Sequence, residues 1–300
     1  MSIEAFYTFS FIYFNRWFNL RKFFEVIGLL SLACFSFFIT EKTTTVFENV
    51  DNIMLQIKNN SYKYNIDSID ASINNNTIIP GIYGRYVDIK KSYKKMKKYG
   101  IYNDNMYVYK YIKPSVSISD NMDKYIISGN KKNRNISLIF IVNDSIDDII
   151  NILNNNEIKA NFFVSDKWFE DNNDLVIDLI NKGHIIGNLA NNKDYSDSSF
   201  GWMDTIIKSL TKQKQGFCYY TDNIDNIKYC KNRKNYIIKP IEINNNLLYE
   251  VKNNLSNGIM LSFNIDSKVI YELDSIIKFI KSKGYNIVNI ETLLDENMLK

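Results

Sequence analysis

The feature that most constrains the fold of this 300-residue chain is an alternation of apolar runs and amphipathic segments that begins after residue 135. Ile136–Val142 is an apolar run rich in β-branched residues, as expected for a strand buried on both faces of a parallel sheet. Further strands are predicted at Ala160–Val164, Ile185–Asn188, Gly258–Phe263 and Asn286–Ile290, and helices at Ile146–Asn154, Asp174–Lys182 and Leu273–Lys283. Strands and helices that alternate in this way predict an α/β domain with a parallel sheet or barrel.

A second constraint lies near the N-terminus, where Phe23–Thr40 is apolar on almost every helical face. Its length suits a bilayer, which needs roughly 17–25 residues. Arg16, Arg21 and Lys22 precede it, so the positive-inside rule predicts a cytoplasmic tail over residues 1–22 and an extracytoplasmic location for the rest of the chain. Because no small-residue cleavage motif follows, we expect an uncleaved transmembrane signal anchor. A buried core helix is the alternative.

The region between this helix and the α/β domain divides into two predicted parts. Residues 41–77 show broken periodicity and many asparagines, which predicts a stalk or linker, either without regular structure or with a short helix near Asn49–Ile57. Residues 78–130 predict a small accessory α+β region, with a helix that Asp88 caps and Gly100 closes. The other faces of this helix carry Lys90, Lys91, Lys94, Lys95, Lys97 and Lys98. They suit a solvated helix face, and attraction to an anionic wall polymer or lipid headgroups is the alternative.

The most specific motif lies in Ile158–Asn188, which reads IKANFFVSDKWF and, further on, LVIDLINKGHIIGN. It resembles the polysaccharide deacetylase, or NodB homology, family (carbohydrate esterase family 4), in which ATFF is followed by GHEIGNH. Leu273–Leu294 resembles the closing helix, strand and short helix of the same family. The resemblance extends over residues 131–300. It implies a distorted (β/α) barrel and an ancestor that hydrolysed N- or O-acetyl groups on cell-wall glycans.

The resemblance also implies a mechanism. One Asp and two His hold a divalent metal that activates water, while a second Asp acts as base and a distant His as acid. In this chain the base and metal aspartates fall on Ile141 and Val142, the metal histidines on Leu189 and Lys193, and the acid histidine on Phe263. Four of these side chains have no lone pair, and a lysine ammonium repels a cation. We therefore expect no catalytic residue and no bound metal.

Two expectations concern the shape of this vestigial site. The family motif R-P-P-Y falls on residues 218–221, so that Cys218 replaces a groove residue while Tyr219 and Tyr220 become candidates for lining a groove. Barrel enzymes place their catalytic groups at the C-terminal ends of the strands. The apolar replacements are accordingly expected to meet there as one cluster: Ile141, Val142, Leu189 and Phe263.

The chain contains a single histidine, His184, which rules out any site that needs two. By resemblance, His184 belongs to a structural motif with Gly183, Gly187 and Asn188. A shift of the first strand by two residues would place Asp144 in the metal position. A divalent ion such as zinc would then still lack both histidines.

The remaining composition bears on partners and on redox state. The net charge of +4 is too small to indicate binding to nucleic acid. On the predicted topology Cys218 and Cys230 lie outside the membrane, where they form either a disulfide or two free thiols.

The sequence thus predicts a single-pass membrane protein whose extracytoplasmic deacetylase-like domain is a pseudoenzyme that binds a cell-envelope glycan or a protein partner, without a cofactor. Two alternatives stay open. One is an active metal-dependent deacetylase or esterase that acts on cell-wall polysaccharide, and the other is a purely structural envelope protein.

Overall fold

A computed structural model describes residues 22–40, 43, 51–211 and 215–297. The chain divides into two compact units. The first, which we call the helical unit, comprises Met1–Asn65 and Val87–Lys110, and the second, the barrel unit, comprises Ile66–Tyr86 and Tyr111–Lys300. The chain passes from one unit to the other within two short strands, β3 (Gly84–Val87) and β4 (Tyr109–Ile112).

The helical unit begins with α1, Lys22–Thr40, whose length and apolar composition would allow it to cross a membrane and whose side chains are all exposed. It continues with α2 (Asn52–Asn60) and α3 (Ile89–Tyr99), each followed by a short 3-10 turn. Six buried side chains form its core: Met54, Ile57, Val87, Tyr93, Met96 and Tyr107. Since α2 alone is short, burial against α3 is what stabilises it.

The helix predicted between Asp88 and Gly100 is confirmed as α3. The Asp88 carboxylate accepts a hydrogen bond from the Lys91 backbone N–H at 3.0 Å, and Gly100 ends the helix with a left-handed φ of +70°.

The stalk expected over residues 41–77 is not seen in the part that the structure describes. Residues 51–77 form α2, a 3-10 turn and the hairpin of β1 and β2. The short helix that the pattern allowed near Asn49–Ile57 corresponds to α2, whereas the hairpin was not expected. The helical period of α2 is weak because Met54 and Ile57 are its only buried apolar side chains.

The barrel unit is built on a curved sheet of eleven strands. Its strands are β1 (Ser72–Asn74), β2 (Thr77–Ile79), β5 (Tyr125–Ile126), β6 (Asn135–Val142), β7 (Asn161–Val164), β8 (Ile185–Asn188), β9 (Phe217–Tyr219), β10 (Tyr236–Ile238), β11 (Ile241–Ile243), β12 (Met260–Asn264) and β13 (Asn286–Ile287). The sheet order is β1-β2-β5-β10-β9-β8-β7-β6-β12-β11, with β13 beside β6. Every pairing except that of β1 with β2 is parallel. This is the α/β fold that the alternating pattern predicted.

Helices connect these strands. They are α4 (Asp147–Asn155), α5 (Asp166–Asp171), α6 (Asn173–Asn181), α7 (Trp202–Thr211), α8 (Ile224–Asn232), α9 (Leu247–Asn254), α10 (Ser267–Ser282) and α11 (Ile290–Leu294). The last predicted strand, 286–290, is shorter than expected. Asn289 accepts a hydrogen bond from the Thr292 backbone N–H at 2.9 Å, so it caps α11 and ends the strand early.

Alternate residues of each strand enter two apolar layers. Phe140 and Val142 of β6 face α4 and α10 in an outer layer, whereas Ile139 and Ile141 face the interior of the curved sheet. This arrangement follows from the two-residue side-chain period of a strand.

The accessory region expected over residues 78–130 does not form one separate part. Its stretch 87–110 belongs to the helical unit, whereas β5 pairs with both β2 and β10 in the main sheet. The reason is that β10 would otherwise present unpaired backbone groups along one edge, and β5 satisfies them.

Candidate functional site

The carboxyl ends of the parallel strands form the mouth of the barrel, where barrel enzymes carry their catalytic groups. Ile141 and Leu189 lie there in the interior layer, almost fully buried. Val142 and Phe263 lie instead in the outer layer, where the Phe263 ring stacks on Phe140 with centroids 5.9 Å apart. The predicted cluster of all four side chains is therefore wrong, because neighbouring residues of one strand point to opposite faces.

On β12 the residues that face the mouth are Ser262 and Asn264, on either side of Phe263. Asn264 pairs with Ile141 across the strands and is exposed, and its amide donates to the Asn244 side-chain oxygen at 3.4 Å. The position assigned to the acid histidine thus faces the helices, and the side chain that reaches the mouth lies one residue further along.

The Tyr219 phenol crosses the barrel interior from β9. It donates to the Glu242 carboxylate at 3.0 Å and lies 2.9 Å from the Ser262 hydroxyl on β12. Because a phenol has one proton, Ser262 is the donor in the second bond. Burial raises the pKa of Tyr219 well above its ordinary range, and the Glu242 charge raises it further, so the phenol stays neutral. The Tyr219 side chain therefore fills the barrel interior beneath the mouth, and we call it the Tyr219 plug.

Lys193 lies over this plug. Its ammonium sits 4.4 Å from the centre of the Tyr219 ring and 3.9 Å from the Glu242 carboxylate. The loop is held in place by Asn226, whose side-chain amide donates to the Lys193 carbonyl at 2.7 Å. A fixed positive charge thus stands beside a phenol and a carboxylate, an arrangement that can hydrogen-bond a ligand.

Above Tyr219 and Lys193 a cleft of about 640 Å³ opens to solvent. It is lined by Asn192, Lys193, Asp194, Tyr219, Tyr220, Thr221, Asp222, Asn223, Asn226, Lys239, Pro240 and Glu242. Both tyrosines expected to line a groove lie on this cleft. The lining combines two aromatic rings with hydrogen-bonding groups of both charges.

Tyr220 forms one side of the cleft. Its hydroxyl donates to Asp222 at 2.8 Å, the Lys239 ammonium lies 3.8 Å from its ring centre, and its edge contacts the Tyr125 ring. These contacts hold the ring in one orientation without burying it fully.

Cys218 does not reach the cleft. It points outward from β9 and forms a buried disulfide with Cys230 of α8, a pairing that the sequence left undecided. The bond ties the strand that carries Tyr219 to the helix behind it.

The signature motif forms the base of β8 and its entry into the mouth. Gly183 adopts a left-handed φ of +85°. The Gly187 backbone lies so close to the Phe163 ring that a Cβ atom would come within 2.4 Å of it. Asn188 is buried, where its amide donates to the Phe200 carbonyl and its oxygen accepts from the Ala190 N–H.

His184 lies at the opposite end of β8 from the mouth and is 2% exposed. Its Nδ1 accepts a hydrogen bond from the Ala160 backbone N–H at 3.1 Å, and its ring contacts Phe162 edge to face. Burial, with a smaller contribution from Lys159, lowers its pKa to about 4. The imidazole is neutral and packed, and it does not take part in the cleft.

The donor set at the mouth does not fit the metal of the deacetylase mechanism. Ile141 and Leu189 offer no lone pair, Lys193 brings a positive charge, and Val142 faces the helices instead of the mouth. Asp144 is exposed in the loop after β6, where its carboxylate accepts from the Ser145 N–H. Over the described ranges, no three His, Cys, Asp or Glu side chains are grouped so that they could hold a metal ion.

The sequence alone did not point to Glu242 and Lys239, which line the cleft, or to Ser262, which contacts Tyr219 beneath it. Glu242 had a detectable signal, because it stands between Ile241 and Ile243, and this alternation marks a strand with one polar face. Ser262 stands in the same way between Leu261 and Phe263, but only the register of the sheet brings it beside Tyr219, and Lys239 beside Tyr220.

Comparison with known proteins agrees with this architecture. The polysaccharide deacetylase family model matches residues 129–241. The uncharacterized protein YlxY of Bacillus subtilis is 24% identical over 255 residues, or 74% of this chain and 76% of YlxY. A CE4-family pseudoenzyme from Bacillus anthracis has a TM-score of 0.61 at 23% identity, over 82% of this chain and 96% of its own. A mutant of that pseudoenzyme with restored enzymatic activity has a TM-score of 0.62 at 22% identity, over 82% and 99% of the two chains.

The two solved structures share the fold over most of this chain, and the family match covers the strands from β6 to β10. The signature Gly183–Asn188 lies within that match, on the strand that leads to the mouth. This chain therefore contains a polysaccharide deacetylase domain, matched by the family model over residues 129–241.

Proposed function

We propose that this protein is a non-catalytic member of the deacetylase fold, anchored in a membrane by α1, and that its mouth cleft binds a cell-envelope glycan. One observation carries the proposal. Where the family mechanism needs a metal and a base, the chain has a buried Tyr219 plug and a lysine ammonium, yet the cleft above them is open.

The absence of a hydrolytic mechanism follows from the side chains at the mouth. Ile141 cannot accept a proton, and the Tyr219 phenol is neutral because its pKa is raised. Neither Leu189 nor Lys193 can hold a cation beside an acetyl group. The fold relative from Bacillus anthracis is itself a pseudoenzyme, which supports this class of function.

A glycan suits the cleft because sugar rings present both apolar faces and hydroxyl groups. Tyr220 offers an aromatic ring that Lys239 and Tyr125 hold in place. Asp222, Asn223 and Asn192 lie around the same cleft and offer hydrogen-bond donors and acceptors. A protein partner could use the same groups, and the test below separates the two.

Two observations support an extracytoplasmic position. Arg16 and Arg21 precede α1 and Lys22 is its first residue, and the apolar side chains of α1 are exposed as they would be in contact with lipid. The Cys218–Cys230 disulfide is of the kind that persists outside the reducing cytosol.

Glycan binding can be tested with the full chain in detergent, using N-acetylglucosamine oligomers and soluble peptidoglycan fragments. Tyr220→Ala should weaken binding roughly tenfold, since an aromatic contact beyond its buried area is worth about 1 kcal/mol and area is lost as well. Tyr271→Ala is the matched control, because Tyr271 is 88% exposed on α10 and away from the cleft. Titration calorimetry measures both.

The same samples decide between the rival functions. We expect no acetate release with added zinc, cobalt or nickel, and turnover there would establish an active hydrolase instead. If neither ligand binds while a specific envelope protein is retained and Tyr220→Ala releases it, the cleft is a protein-binding site.

A further inference from the structure

The helical unit carries a concentration of positive charge that the rest of the chain does not share. Residues 51–65 and 87–110 contain nine lysines and three aspartates and no other charged residue, which gives a net charge of +6. The whole chain has a net charge of only +4, so its remaining residues together carry −2. The positive charge is therefore localised in the part of the fold that follows α1.

Within this unit the charge is arranged along one side of α3. Ser92, Tyr93 and Met96 are buried and define the inner face of the helix. Lysines at helical spacing cover the opposite side, and all are exposed: Lys90, Lys91, Lys94, Lys95, Lys97 and Lys98. Positions three and four residues apart are neighbours on a helix surface, so these side chains form one continuous basic face. We call it the lysine face.

Most of this charge is unbalanced within the protein. Lys97 pairs with Asp51 at 2.5 Å and Lys91 with Asp88 at 3.6 Å. Of the residues that the structure describes, none provides a carboxylate to Lys94 or Lys98 within 4 Å. Like charges four residues apart repel one another and destabilise an isolated helix. An external surface of negative charge would relieve this repulsion.

Apolar side chains stand next to the lysine face. Tyr99 ends α3 and is 62% exposed, and Ile101 follows Gly100 and is 56% exposed. An aromatic and an aliphatic side chain beside lysines is the combination found where a protein meets the headgroup region of a bilayer.

The chain also keeps this unit near α1. The apolar helix ends at Thr40 and α2 is capped by Asp51, so ten residues separate the two. Ten residues span at most about 36 Å, even when fully extended. On the proposed anchoring, α2 and the rest of its unit are therefore held close to the membrane surface.

We infer that the lysine face, with Tyr99 and Ile101, docks on anionic phospholipid headgroups of the bilayer that α1 enters. The charge of the unit and the short tether favour a lipid phosphate over a more distant wall polymer. The inference rests on the proposed membrane anchoring. The lysine face would then be a second membrane contact in addition to α1, and it uses none of the residues that line the mouth cleft.

The test uses the full chain reconstituted into nanodiscs of phosphatidylcholine alone or with added phosphatidylglycerol. Amine acetylation of single lysines is followed by mass spectrometry. We expect Lys94, Lys95 and Lys98 to react severalfold more slowly in anionic discs, and high salt to remove the difference because it screens charge. Lys268 and Lys278 of α10 serve as internal controls and should react equally in both discs.

Substitution separates a specific face from general attraction. The triple variant Lys94→Gln, Lys95→Gln and Lys98→Gln should lose the protection that anionic discs give to Lys90 and Lys91. The control variant Lys228→Gln, Lys231→Gln and Lys234→Gln removes the same charge from the barrel unit. In this variant, anionic discs should still protect Lys90 and Lys91. Thermal melts of both variants establish that they are folded.

Two results would overturn the inference. One is equal reactivity of the lysine face in the two discs, and the other is protection by soluble polyphosphate but not by anionic discs, which would point to a polymer. If the chain fails to co-purify with discs of either composition, the anchoring itself is wrong, and the inference falls with it.

Discussion

At the scale of single residues, the only histidine in the sequence serves packing. His184 is buried beside Phe162, and its Nδ1 accepts from a backbone N–H, so the remaining proton must lie on Nε2. An imidazolium would have to give up that accepted bond and would carry an unpaired charge into an apolar layer. This is why its pKa is lowered to about 4.

The lowered pKa predicts a pH dependence of stability. Between the unfolded pKa of about 6.5 and the folded value of about 4, the unfolded chain binds a proton that the folded chain does not, so stability falls as pH falls through this window. From pH 7.5 to 4.5 the free energy of unfolding should lose about 2–3 kcal/mol through His184 alone. Denaturant unfolding at several pH values measures this.

His184→Gln provides the control, since glutamine can accept from the Ala160 N–H but does not titrate. Carboxylates with lowered pKa values, such as that of Asp274, contribute equally to both proteins at low pH. The wild type should therefore lose more stability than the variant over the same range. Parallel pH profiles would contradict the assignment.

At the scale of elements, the side of a strand on which a residue falls decides what a substitution does. Ile141 and Val142 are neighbours in β6, yet Ile141 faces the mouth and Val142 faces the helices. Ile141 is 6% exposed in the interior layer that also contains Tyr219, whereas Val142 is 1% exposed and surrounded by apolar side chains. Substitution by aspartate is therefore expected to have different effects on stability at these two positions.

We predict that Val142→Asp lowers the free energy of unfolding by several kcal/mol, about 3–5, because it buries an unpaired carboxylate. Ile141→Asp should lower it by clearly less. Val142→Asn and Ile141→Asn separate the effect of charge from that of lost volume. A larger loss for Ile141→Asp in thermal and urea unfolding would mean that the register of β6 is misassigned.

At the scale of the whole molecule, the proposed orientation depends on the charges that flank α1. The positive-inside rule counts charges close to the ends of a span, where Arg16, Arg21 and Lys22 outweigh the mixed charges that follow Thr40. The lysine face lies about fifty residues further on, beyond the range in which it would affect orientation. The proposed orientation thus agrees with a basic helical unit outside.

Topology is testable with reporters fused after Lys300. A reporter that works only outside the membrane should be active there, and a reporter confined to the cytoplasm should be inactive. Charge reversal at Arg16, Arg21 and Lys22 should reduce the first signal, whereas reversal at Lys228 and Lys231 should leave it unchanged. Activity of the cytoplasmic reporter in the unaltered protein would reverse the orientation.

The sequence by itself determined the local elements and the fold class. The β-branched run of β6, the cap pair Asp88 and Gly100, and the signature of β8 each depend on residues within one element, where period and capping are legible. The loss of the family's catalytic side chains was likewise expected from a comparison of single positions.

Only the tertiary structure decided which distant residues meet. It placed Val142 and Phe263 on the helix side, folded residues 51–77, joined Cys218 to Cys230, and brought Tyr219 to Glu242 and Ser262. These facts depend on strand register and on pairings between residues far apart in sequence, and a shift of one residue reverses every facing. Local periodicity does not encode strand register, because register is set by backbone hydrogen bonds to strands that lie elsewhere in the sequence.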